Sequence, residues 1–265
     1  MFVLANGAFK SGSTWLYTIL RTTGYFAGLP DAYMAGTGVG RNWLKPSLVK
    51  AFLESGVYRD AHYLAKGHHY HKHTRDTLLA YDDVYVFNIK RDTKDSLVSH
   101  YYHLIRQGKL DNSLARAENV RKGFTDYYWR LGRYKAQQIT TYHEVWNVAS
   151  PKVYVSSFER LKNDFGGEVG RIGHFLGFDF SPEMITRLES ETRLENVQKV
   201  KGMDKLEEHK RFVRKGLIGE WRHYFDDATL ADVAKIEQRG LGGVDLLRYQ
   251  TIFTALDLRR RLLSR

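Results

Sequence analysis

The segment AFKSGSTWL occupies residues 8–16, between an apolar run, FVLA at 2–5, and TWLYTIL at 14–20. The first run suits a strand and the second has its apolar residues at helical spacing. A chain that turns from strand to helix through Lys10-Ser11-Gly12-Ser13-Thr14 leaves the first helical amides unpaired at the positive end of the helix dipole. Four consecutive small residues pack no core, and a lysine ahead of them adds a full positive charge. The segment therefore reads as a seat for an anion, and a phosphate fits best.

Working outward, short β-rich runs alternate with helical patterns, which predicts βαβ units. The strand candidates are Phe2–Ala5, His62–Lys66, Val84–Ile89 and Val153–Ser156, and polar residues Lys10, His68, Arg91 and Glu159 follow them. Ligands of open parallel sheets bind beyond the carboxyl ends of the strands, where these residues lie. A first helix is expected from Thr14 to Thr23, stopped by Gly24. A second begins after Asp92 as N-cap, with Asp95 three residues on, and stops at Gly108. Residues Leu114–Trp146 read as largely helical, and Ser181-Pro182-Glu183 opens a further helix. Beyond Thr192 the pattern weakens into a long loop that ends at RKGLIGEW.

Composition is consistent with this picture. The 265 residues include 43% hydrophobic and 27% charged side chains, only four prolines and no low-complexity run. One domain over residues 1–265 is expected, α/β with a central parallel sheet flanked by helices. Absence of cysteine excludes disulfides and thiolate metal sites. No run approaches the ~18–20 apolar residues of a membrane span, and the anion loop starts within the first ten residues, so a cytoplasmic location and no membrane partner are expected. A net charge of +11 points to anionic ligands.

A Walker A loop would need Gly before the lysine and Ser or Thr directly after it in G-x-x-x-x-G-K-[ST]. Here Phe9 precedes Lys10 and the Ser-Gly-Ser-Thr turn follows. Lys10-Ser11-Gly12-Ser13-Thr14-Trp15-Leu16 instead resembles the phosphosulfate-binding loop, KSGTTWL, of the sulfotransferases that use 3′-phosphoadenosine 5′-phosphosulfate (PAPS). Two further segments are similar to motifs of that family in the same order. Arg91-Asp92-Thr93-Lys94-Asp95, with Ser99 eight residues after the arginine, resembles its 3′-phosphate motif, and Arg214-Lys215-Gly216-Leu217-Ile218-Gly219-Glu220-Trp221 resembles RKGxxGDW.

The resemblance implies a P-loop-like phosphosulfate loop after the first strand and assigns roles to matching positions. Lys10, Ser11, Gly12, Ser13 and Thr14 would hold the 5′-phosphosulfate. Arg91, Ser99, Arg214, Lys215 and Gly216 would hold the 3′-phosphate, for which a forked guanidinium is suited. Trp15, Phe158, Thr192 and Leu194 would line the adenine; Phe158 stands where many members have tyrosine, and Leu194 where they have phenylalanine. In AKGHHYHKHT, residues 65–74, Lys66-Gly67-His68 resembles the family's K-T-H, whose histidine takes the proton of the acceptor hydroxyl. His68 is the expected base and His69 the fallback. Lys10 would stabilise the leaving oxygen with Lys66 assisting, and Ser99 would reach Lys10. The product would be PAP, the acceptor a small molecule, and no metal would be required.

Other readings of the residues stand beside this one. His69, His71 and His73 on alternate positions of an extended segment could share a face and hold a metal, although no carboxylate cluster completes it. GTGVGR at 36–41 reads as a loop, part of a lid over the substrate. A P-loop-like nucleotide kinase is the nearest enzymatic alternative. A polyanion- or RNA-binding protein is the other, suggested by +11 and 17 tyrosines, although no RNA-binding motif is present and no nucleic-acid partner is expected.

Overall fold

A computed structural model describes residues 1–34, 42–111, 113, 120–193 and 215–251. Its centre is a five-stranded sheet, all parallel, in the order β2-β3-β1-β4-β5. The strands are β1 (Phe2–Gly7), β2 (Ala27–Gly28), β3 (Tyr63–Gly67), β4 (Val84–Lys90) and β5 (Val153–Ser157). β1 is central and buried on both faces, so its sequence runs apolar from Phe2 to Ala5 rather than alternating. The chain leaves β1 toward β3 and β2 on one side, then crosses to β4 and β5 on the other. The switch point thus falls at the carboxyl end of β1, where the Lys10 loop begins.

Period-two alternation divides the core between the two faces of the sheet. Val3 and Ala5 pack with Trp15, Leu16, Ile19 and Leu20 of α1 (Ser13–Thr22), and with Phe158, Phe165 and Leu188 from α7 (Phe158–Asn163), α8 (Phe165–Phe175) and α9 (Pro182–Thr192). Phe2 and Leu4 pack on the opposite face against Phe52 of α2 (Pro46–Glu54), Leu78 of α3 (Lys72–Leu79) and Ile139, Tyr142 and Trp146 in and after α6 (Arg133–Val145). A third cluster joins α4 (Thr93–Arg106), α5 (Val120–Tyr127), α6 and α10 (Asp227–Arg239) through Leu97, Tyr101, Phe124 and Val233.

Caps form where the sequence places them. Asp92 accepts from the Asp95 amide at 3.0 Å, Ser181 caps α9 ahead of Pro182, and Gly24 and Gly108 turn left-handed after α1 and α4. The helical expectation for 114–146 holds from residue 120, with one difference: Tyr128–Gly132 forms a π-helical turn between α5 and α6. Gly132 explains part of it, because a Cβ there would lie 3.1 Å from the Tyr127 and Tyr128 rings. The turn aims Tyr128 at Asp232 of α10, which Arg133 also grips. β2, α2, α3, α7, α8 and α10 are elements the sequence reading did not delimit. The expected lid at 36–41 and most of the loop after Thr192 lie outside the described residues.

Candidate active site

The turn after β1 is built by backbone constraint. Lys10 takes a left-handed φ of 62° and Gly12 a φ of 99°, where L side chains are disfavoured. Ser11 closes the turn, its amide and hydroxyl both donating to the Ala8 carbonyl at 3.2 and 2.8 Å. Gly12 supplies no side-chain cap and α1 has no acidic residue in its first turn, so the first amides of α1 are presented to a ligand. Burial, with the Arg106 and Arg91 guanidiniums nearby, lowers the Lys10 ammonium to about 8. A cation made costly in this way is stabilised by an arriving anion.

Arg91, at the end of β4, brings the separate motifs together. It donates to the Lys10 carbonyl at 3.3 Å and to the Leu217 carbonyl at 3.1 Å, across 126 residues of sequence. Its guanidinium carbon lies 4.2 Å from the centre of the Phe158 ring. Its Nε is buried without a partner, an orphaned donor at the place where the resemblance puts a phosphate. Asp95, in the first turn of α4, accepts from the Gly219 and Trp221 amides at 2.6 and 3.1 Å. That pair docks the segment carrying Lys215 and Gly216 beside Arg91. Lys215 is exposed and lies 3.8 Å from Glu220, and Gly216 has a φ of 62°.

Trp15 stands edge-on to Phe158 with ring centres 5.5 Å apart, and its indole donates to the Thr192 carbonyl at 2.8 Å. Three of the four expected adenine-lining residues are thus in one cluster; Leu194 and the phosphate-motif Arg214 lie outside the described residues. Ser99 is half-buried within α4, and among the described residues it makes no hydrogen bond to Lys10. Lys66, at the end of β3, donates to the Thr14 hydroxyl at 3.4 Å and sits 5.6 Å from the centre of the Trp43 ring.

The two histidines after β3 are in different environments. His68 Nδ1 lies 2.5 Å from the Gly7 carbonyl. A carbonyl only accepts, so Nδ1 carries the proton, and in the neutral form of the ring the lone pair is then on Nε2. Trp43 packs edge-on against this ring at 4.7 Å. His69 is fully buried, burial lowers it to about 3, and neither ring nitrogen has a partner. Its ring fills the space beside Gly67, where a Cβ would be 2.3 Å from Nε2. This explains why glycine stands between Lys66 and His68. His71 stands at the N-cap position of α3, which begins at Lys72, so the extended segment required by a shared metal face ends there. Among the described residues no group of three His, Asp or Glu is placed to hold a metal.

The segment 67–70 also grips the anion loop. His69 donates its amide to Asn6 Oδ1 at 3.1 Å, His68 bonds the Gly7 carbonyl, and the Phe9 amide donates to the Tyr70 hydroxyl at 3.0 Å. Neither Trp43 nor Tyr70 was singled out from the sequence, and Asp95 was read there as a first-turn residue of α4 and part of the 3′-phosphate motif, not as the anchor of the late segment.

Residues 3–245 match the model of the sulfotransferase domain family. Flavonol 3-sulfotransferase of Flaveria bidentis is 29% identical over 180 residues, covering 62% of this chain and 56% of the relative. Sulfotransferase 6B1 of Danio rerio is 25% identical over 162 residues, covering 59% of this chain and 51% of the relative. The match therefore spans little more than half the length of these relatives. Mouse sulfotransferase SULT7A1 in complex with PAP shares the fold at a TM-score of 0.56 and 17% identity, over 94% of this chain and 88% of its own. Retinol dehydratase in complex with androsterone and PAP does so at 0.54 and 17%, over 91% and 80%. No helix among the described residues is long and apolar enough to cross a membrane. The family match leaves the kinase and polyanion readings without support: the chain belongs to the sulfotransferase family.

Proposed function

We propose that the protein transfers a sulfonate group from PAPS to the hydroxyl of a small-molecule acceptor and releases PAP. The observation that carries this reading is Arg91, bonded to the carbonyls of Lys10 and Leu217 and stacked on Phe158. It joins one anion seat at the head of α1 to a second beside Lys215 and Gly216, as a nucleotide with a 5′-phosphosulfate and a 3′-phosphate requires. The edge-on aromatic pair Trp15 and Phe158, with Arg91 over the Phe158 ring, would take the base.

In the proposed reaction the acceptor oxygen attacks the sulfur and the bond from sulfur to the bridging phosphate oxygen breaks. The hydroxyl proton passes to Nε2 of His68, whose tautomer the Gly7 carbonyl fixes. Negative charge grows on the departing oxygen, so the Lys10 ammonium stabilises the transition state more than the ground state. Lys66, held near Thr14, assists on the sulfonate oxygens. No step uses a metal. Incubation with PAPS and a panel of phenols and alcohols tests the reading by following PAP release and acceptor sulfation. Acceptor-dependent PAP release without magnesium is expected, and Lys10→Ala should abolish it. Tight PAP binding with no transfer to any hydroxyl in the panel would contradict it.

A further inference from the structure

A row of buried polar side chains crosses one face of the sheet next to the proposed site. Asn6 of β1 is in register with Gly67 of β3 on one side and with Asn88 of β4 on the other. Each of the three stands two residues beyond an apolar position of the same core cluster, Leu4, Ala65 and Val86, so both carboxamides rise on the face that α6 covers. The His69 ring takes the remaining place, over Gly67. Asn6 Oδ1 accepts from the His69 amide at 3.1 Å, and Asn88 Oδ1 accepts from the Tyr142 hydroxyl at 2.7 Å, which orients both carboxamides. Asn6, Asn88 and His69 are fully buried. Among the described residues, Asn6 Nδ2, Asn88 Nδ2 and both ring nitrogens of His69 have no partner. Four orphaned polar atoms in one buried row call for a ligand, because packing alone leaves their desolvation uncompensated.

We infer that Asn6, Asn88 and His69 bind one internal water molecule, which accepts from the two carboxamide nitrogens and donates to the unprotonated nitrogen of the His69 ring. The match is one of capacity. The carboxamide nitrogens only donate, a neutral imidazole has one accepting nitrogen, and a water has two lone pairs and two protons. Neighbouring strands are about 4.7–4.9 Å apart, a separation that one water bridges between two donors. Internal waters make about three such bonds. Burial, ahead of the nearby His68 and His71, lowers His69 to about 3, so its ring keeps an accepting nitrogen at neutral pH. An anion would bring a buried charge with no cation among these three side chains to balance it. Building on the sulfotransferase reading, the water positions the proposed base. Asn6 precedes Gly7, whose carbonyl holds His68 Nδ1, and His69 follows His68, so the two sides of that contact meet at the water. Asn88 extends the frame to β4 and, through Tyr142, to α6.

A crystal structure of the unaltered protein, at a resolution that shows ordered water, tests the site itself. One peak within about 2.7–3.2 Å of Asn6 Nδ2, Asn88 Nδ2 and a His69 ring nitrogen is expected. Lack of that peak would overturn the inference, and so would an anomalous signal there after bromide soaking, since the occupant would then be an anion. The positioning role is read from Asn88→Leu, which removes the donor at similar volume, beside Asn88→Ser, whose hydroxyl can still hold a water. Asn88→Leu should lower kcat by about tenfold or more, because a misplaced base costs rate, while PAP affinity stays within about threefold. Asn88→Ser should recover most of kcat. An unchanged kcat in Asn88→Leu, or kcat and PAP affinity falling together, would overturn the positioning role. The crystallographic peak decides the site even where a variant fails to fold. Failure of PAP to bind the unaltered protein would instead sink the sulfotransferase reading, and with it the positioning role, but not the water site.

Discussion

Lys10 and His68 each owe their proposed chemistry to one backbone feature. At φ 62° the half-buried Lys10 side chain lies near two arginines, and its ammonium falls to about 8. The free protein is thus charged at pH 7 and loses that charge as pH rises through about 8. An anion seated on the ammonium raises the value again, so PAP binding should take up protons at pH 8.5 and almost none at pH 6.5. Calorimetry in two buffers of different ionisation enthalpy reads this uptake; equal uptake at both pH values would remove Lys10 from the phosphate seat. His68→Ala should lower turnover by ~10²–10⁴-fold with PAP affinity retained, by analogy with other general bases. Unchanged turnover would take His68 out of the mechanism. Lys10 could be singled out in the sequence because a lysine before a small-residue turn has few other uses, and His68 only through the resemblance of Lys66-Gly67-His68 to K-T-H. The choice between His68 and His69 was not legible there: only the Gly7 carbonyl and the cramped space beside Gly67 separate them.

Two elements show how local sequence serves the site. The turn 67–70 departs from K-T-H at Gly67 because the buried His69 ring occupies the volume of a side chain there. Gly67→Thr should therefore destabilise by about 1–3 kcal/mol through overpacking. In the background of His69→Ala the same change should cost less, and urea denaturation of the single and double variants measures the coupling. Additive losses would mean that the ring does not exclude the threonine. The second element is the docked segment 215–221, which Asp95 holds through two amides. Asp95→Ala leaves those donors unpaired, at a cost of roughly 1–3 kcal/mol, and should weaken PAP while 5′-AMP changes little. Equal losses for both nucleotides would place the 3′-phosphate elsewhere. The helix caps at Asp92 and Ser181 were readable because each depends on one nearby residue. The Asp95 contact was not, since it closes over 124 residues and depends on the whole sheet.

Across the molecule, the order β2-β3-β1-β4-β5 gathers the ends of β1, β3 and β4 at one edge, so segments far apart in sequence meet around Arg91. The parallel sheet and its ligand edge followed from alternating patterns, while the short β2 and the π turn at Tyr128–Gly132 arose from tertiary contacts that no local pattern encodes. The central claim is that one nucleotide bridges two phosphate seats. Calorimetric titration of PAP beside ADP and 5′-AMP, without magnesium, tests it most directly. PAP should bind at least tenfold more tightly than either, and Arg91→Ala should erase most of that preference. Equal affinity for PAP and 5′-AMP, or preference for ADP, would contradict the account.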